Sequence, residues 1–162
     1  MNRHLSSSHP SVPDETGEAL DLVTVRLGSQ LIGIPIDRVR DVFQVPAIAP
    51  VPLAPAGVAG LANLRGRIVL LVDLAARLGL IAHPPKGARM AVGIDWHGET
   101  YGLLVDSVGD VLHVPAAQAT VAPATFSEPW ARHVRQIVKL DREVMIELDL
   151  DELLGSPLHA AA

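Results

Sequence analysis

The chain has 162 residues, 49% of them hydrophobic and 19% charged, a length that suits one domain or two very small ones with a real core. Thirteen Lys and Arg against eighteen Asp and Glu leave a formal charge of −5, and 3% of residues are aromatic, which argues against nucleic acid as the main partner. With no cysteine, disulfides, thiolate chemistry, Cys-ligated zinc and iron–sulfur clusters are excluded, and the composition fits a reducing cytosol.

Residues 1–19 hold no apolar run of the kind a signal peptide needs and read as a flexible polar tail. Strand patterns then dominate. Leu20–Leu27 is a strand, Gly28-Ser29-Gln30 a turn, and Leu31–Ile36 a second strand. Val39, Val42 and Phe43 fall at helical spacing and predict a short helical turn within Asp37–Phe43. The uncharged stretch Val42–Leu64 carries Pro46, Pro50, Pro52 and Pro55, which would break a membrane helix repeatedly. No direct membrane insertion is expected. Val58–Leu64 and Arg67–Val72 make a hairpin closed near Arg65-Gly66. Asp73 caps a short helix through Leu78, and Gly79 stops it. His83–Arg89 reads as a linker.

The second half repeats the plan. Met90–Trp96 and Thr100–Asp106 flank the turn His97-Gly98-Glu99, Val108–Val114 follows, and Pro115–Ser127 is a loop. Trp130–Leu140 and Glu143–Leu148 form another hairpin, and Asp149 caps a helix over Leu150–Leu154 that Gly155 stops. A shift of about 69 positions lays Ile32–Pro46 on Tyr101–Pro115, with Gly33 on Gly102, Asp37 on Asp106 and Asp41 on Asp110. A shift of about 76 pairs Asp73 with Asp149 and Gly79 with Gly155. The expectation is a mainly β protein made of two copies of a small five-stranded barrel, packed on each other because neither holds much core alone. The copies would span about 20–82 and 90–154, joined by 83–89, with 155–162 as a C-terminal tail.

An enzyme is disfavoured. His4, His9, His83, His97, His113, His133 and His159 are scattered, and no G-x-S-x-G elbow or phosphate loop occurs. The acidic run Glu147, Asp149, Asp151, Glu152 lacks the glycine and final glutamate of a calcium loop. No metal or other cofactor is expected. Surface features remain. Arg65 sits at the Asn63-Leu64-Arg65-Gly66 turn, whereas the second copy has Asp141-Arg142 there, so folding does not demand an arginine. It is either a solvated turn residue or an interface anchor. Val39, Asp41 and Val42 are similarly open between core and partner contact.

The segments GIPIDRVRDV, GVAGLANLRGRIVLLVDLAARLG and YGLLVDSVGDVLHV closely resemble the CheW family of chemotaxis coupling proteins, from about Leu20 to Leu154. Gly60, Asn63, Leu64, Arg65, Gly66, Ile68, Asp73 and Leu74 carry the most specific part of the pattern, and Val105–Val111 supports it. The resemblance implies two SH3-like five-stranded barrels about a pseudo-two-fold. It also implies a non-catalytic, cytoplasmic signal-transduction adaptor that joins methyl-accepting chemoreceptors to the regulatory domain of the histidine kinase CheA, recruited to membrane receptor arrays. Arg65 and Val39 match positions implicated in binding the receptor's cytoplasmic tip, and Asp41, Asn63, Leu64 and Gly66 join them as candidates. Val42, Val58, Leu61, Val108 and Val111 are candidates for the kinase contact. Glu147 stands where an apolar residue is common, and Pro35 within a strand calls for an edge or bulge position. The alternatives are a scaffold of a pilus, biofilm or developmental pathway, or a small ligand-binding barrel or enzyme.

Overall fold

Short turns with forced backbone geometry set the register of this chain. In the computed structural model, which describes residues 19–45, 47–80, 89–123, 125–126 and 130–155, β1 (Ala19–Leu27) turns into β2 (Gln30–Pro35) through Gly28, whose φ is +58°. Hairpin β4 (Val58–Leu64) to β5 (Arg67–Asp73) closes on Arg65 and Gly66, both with positive φ, the pattern of a two-residue type I′ turn. Hairpin β6 (Met90–Trp96) to β7 (Glu99–Val105) closes the same way on His97 and Gly98. The remaining strands are β3 (Val39–Gln44), β8 (Ser107–Pro115), β9 (Ala119–Thr120), β10 (Val134–Lys139) and β11 (Val144–Leu148).

Helices are short. In α1 (Leu74–Arg77) the Asp73 carboxylate accepts from the Ala76 N–H at 3.2 Å, and Gly79, at φ +70°, ends the turn. In α3 (Leu150–Gly155) Asp149 accepts from the Glu152 N–H at 3.2 Å, the same device in the second copy. One-turn helix α2 (Trp130–His133) occupies the start of the segment expected to be strand throughout. The helical turn expected within Asp37–Phe43 is a 3-10 turn over Ile36–Arg38 alone, and Val39, Val42 and Phe43 lie on β3. Pro35 meets the edge requirement locally, pairing with Leu22 of β1 on one side and with no strand on the other. It ends β2, beyond the reach of β11, which pairs only with Leu31–Gly33. The expected linker lies outside the described residues except for Arg89.

The strands form two sheets, in the orders β8-β1-β2-β11-β10-β9 and β3-β6-β7-β5-β4. The fold is therefore mainly β with two five- to six-stranded sheets. The sheets do not follow the two halves of the chain, however. Hairpin β1-β2 of the first half sits between β8 and β11 of the second, and hairpin β6-β7 sits between β3 and β5 of the first. The exchange is reciprocal to the residue: Val42↔Val92 in one sheet answers Val23↔Val111 in the other, and Leu70↔Tyr101 answers Ile32↔Ile146. Each sheet also curls. Ala49, beyond β3, exchanges two 2.8 Å backbone bonds with Leu61 of β4, and β8 runs through a 3-10 turn (Ala116–Gln118) into β9 on β10.

Burial on both faces explains the runs of Val, Leu and Ile. On β5, Val69 and Leu71 face the interior of the five-stranded sheet, while Leu70 and Val72 face a central core. That central core draws Val25, Ile32 and Ile34 from one sheet, Val92, Ile94 and Leu103 from the other, and Leu150, Leu153 and Leu154 from α3. A separate cluster around Leu22, Leu31, Val138 and Met145 fills the six-stranded sheet. Each sheet thus has its own interior, and the largest core lies between them.

Candidate partner-binding surface

Strand register places six of the candidate residues in the five-stranded sheet, four at a hairpin tip and two on the edge strand β3. Because β5 runs parallel to β7 with Leu70 beside Tyr101, the tip Arg65-Gly66 projects from the same end as the tip His97-Gly98. Strand β3 starts at that end, since Val39 pairs with Ile94, two residues before β6 stops. Asn63, Leu64, Arg65 and Gly66 share one hairpin tip, whereas Val39 and Asp41 lie on β3, separated from that hairpin within the sheet by β6 and β7.

The turn is held from within. Asn63 Oδ1 accepts from the Gly66 N–H at 3.0 Å, which fixes the tip and leaves Arg65 exposed. Val39 is half-buried against the central core. Between it and Asp41 the pairing with β6 shifts by one residue, a bulge at Arg40 that turns Asp41 over Gly93. Gly93 carries no side chain, so the carboxylate has room there.

Charges missed by sequence reasoning tie these strands together. Arg40 of β3 reaches both carboxylate oxygens of Asp95 on β6 at 3.2 Å, and the Thr100 hydroxyl of β7 donates to Asp95 Oδ1 at 2.9 Å. The Thr100 hydrogen bond, with Arg40 and Arg67 of β5 adding to it, holds the Asp95 carboxyl below its ordinary range. Cross-strand contact, not spacing, assembles this row, and no linear signal marks it. Ile68, two residues past the tip, is 65% exposed and lies on the face of β5 opposite Arg67. Toward the groove between the sheets, Asp151 of α3 accepts from Arg38 at 3.2 Å and from Trp96 Nε1 at 3.1 Å. These bonds lock the end of one sheet onto the helix that follows the other.

The five other candidates do not form one patch. Val42 (41% exposed) and Val111 (50% exposed) occupy equivalent edge positions of different sheets. Val58 and Val108 are half-buried against the central core, and half-buried Leu61 is the residue that bonds Ala49. Among the described residues, no three His, Asp or Glu side chains are placed to hold a metal ion, and no helix is long and apolar enough to cross a membrane.

Comparison with known proteins gives one consistent result. Residues 21–158 match the family model for the CheW-like domain. Chemotaxis protein CheW of Rhizobium meliloti (strain 1021) is 30% identical over 147 residues, covering 91% of this chain and 95% of that protein. Protein PilI of Pseudomonas aeruginosa is 28% identical over 126 residues, 78% of this chain and 66% of its own. The crystal structure of the scaffolding protein TtCheW from Thermoanaerobacter tengcongensis superimposes with a TM-score of 0.75 at 26% identity, over 84% of this chain and 92% of that one.

Proposed function

The chain belongs to the CheW family of non-catalytic scaffold and adaptor proteins, and from that premise we propose that it couples the cytoplasmic tip of methyl-accepting receptors to the regulatory domain of a CheA-type histidine kinase. The observation that carries the reading is the end of the five-stranded sheet. There a pinned turn presents Arg65, with exposed Ile68 on one face of the adjoining sheet and the polar side chains of Arg40, Asp95 and Thr100 on the other. Arginine beside an apolar residue on rigid backbone is the composition of an interface anchor. A receptor helix lying along this end, toward the groove, would meet Arg65 and Val39 together.

Coupling then needs no chemistry. The sheets share a core and are cross-braced at Asp151, so a shift of one bound partner changes the contacts offered to the other. Val42, Val58 and Leu61 on the first half, and Val108 and Val111 on the second, are the candidates for the kinase contact, with exposed Val42 and Val111 the foremost. Recruitment from the cytoplasm to receptor arrays follows from receptor binding.

The test is Arg65→Glu. Its thermal melt should match that of the parent, because the side chain is exposed, while binding of a receptor cytoplasmic fragment should weaken more than tenfold, about 2 kcal/mol. Undiminished capture in a pull-down would remove Arg65 from the surface. The similarity to PilI favours a second reading, an adaptor of a pilus-linked pathway. Co-elution with the regulatory domain of one encoded kinase and not another separates the two.

A further inference from the structure

One buried charge has no place in an adaptor's protein-facing surface. Glu147 is 2% exposed, in a strand whose other residues from Met145 to Leu148 are also buried. The equivalent position in the first copy is Leu71, fully buried and apolar, so the fold itself asks for a hydrocarbon here. Glu147 Oε2 accepts from the neutral amide of Gln136, and Oε1, which meets no protein donor among the described residues, is open to solvent rather than sealed. No described Lys, Arg or His nitrogen makes an ion pair with it. A carboxylate so enclosed, with one oxygen left open, is placed to take a cation.

The residue borders a cavity of about 390 Å³ at the mouth of the six-stranded sheet, which supplies the space for one. Leu20, Leu22, Pro35 and Ile36 give apolar walls, and Asp21 and Asp37 add negative charge at the rim. Asp21 is engaged by His113 of β8, and Arg135 is the single cation among the lining residues. An aliphatic stem ending in a positive charge fits both features: the walls take the stem and Glu147 takes the head. We propose that this cavity receives a guanidinium or ammonium group, either the side chain of a docking protein or a free cationic amine, a recognition function beyond the receptor and kinase contacts above.

The experiment is an NMR titration of the folded full chain with Nα-acetyl-argininamide, following the Gln136 side-chain amide and the Glu147 backbone amide. Both should shift, and the neutral isostere Nα-acetyl-citrullinamide should leave them in place. Glu147→Gln keeps the shape and should weaken binding about tenfold or more. Glu147→Leu restores the residue of the sister copy and should abolish it in a protein at least as thermally stable as the parent, so loss of binding is not loss of fold. Arg135→Ala removes the competing cation and should tighten binding. A short peptide with one internal arginine that binds tighter than the free amide assigns the group to a protein partner, and equal affinity assigns it to a small amine. Equal shifts with the citrulline compound, unchanged affinity in Glu147→Gln, or no shift at millimolar probe would each overturn the proposal.

Discussion

Arg65 holds φ at +51°, in the left-handed region that L-residues other than Asn and Asp seldom enter, and His97 does the same at +48°. Both occupy the first centre of a type I′ turn, where Asn or Gly would form the same hairpin without that strain. A side chain kept at a strained position is kept for what it touches. Arg65→Gly should therefore stabilise the protein by up to about 1 kcal/mol and still lose receptor binding. Chemical denaturation beside a pull-down reads both effects, and normal binding by the Arg65→Gly variant would make the arginine a turn residue only. The dipeptide itself was legible in the sequence because turn chemistry is local. Arg40, Asp95 and Arg67 were not, because they become neighbours only through pairing of β3, β6, β7 and β5.

At the scale of elements, Gly60 shows how the family's N-L-R-G hairpin is seated. Its φ is +148°, and a side chain there would strike the Ala49 carbonyl oxygen and lie 2.7 Å from Ile48 Cγ2. The glycine is what lets the chain beyond β3 bond Leu61 and curl the five-stranded sheet shut. Gly60→Ala should then lose at least about 2 kcal/mol, since backbone cannot give way as a side chain would. Gly66→Ala, which meets nothing within 4 Å, should lose only the backbone term of about 1 kcal/mol. Thermal melts decide it, and equal losses would show that strain, not the closing bridge, explains Gly60. The strands of this sheet were readable from hydrophobic pattern, with one exception. In β3 the bulge at Arg40 breaks strict alternation, so Val39, Val42 and Phe43 mimic a helical period.

For the whole molecule, the duplication was visible in the sequence and the exchange of hairpins was not. The reason is physical: with two similar copies, hairpin β1-β2 meets a β3-type and a β5-type strand in either half, and the local pattern is satisfied both ways. Its neighbours in the structure are β8 and β11, and those of β6-β7 are β3 and β5. Among the described residues of the first half, native pairing joins only β1 to β2 and β4 to β5, with the single bridge Ala49–Leu61 beyond them. Isolated two-stranded hairpins are marginal in water, and the central core takes side chains from both halves. A chain divided between Leu80 and Arg89 should therefore give two fragments that are each unfolded alone and assemble one-to-one on mixing. Circular dichroism and size-exclusion chromatography of the separate and combined fragments measure this. A cooperative melt from either fragment by itself would mean that each half can close its own barrel, and that the exchanged pairing is only one of two arrangements open to the chain.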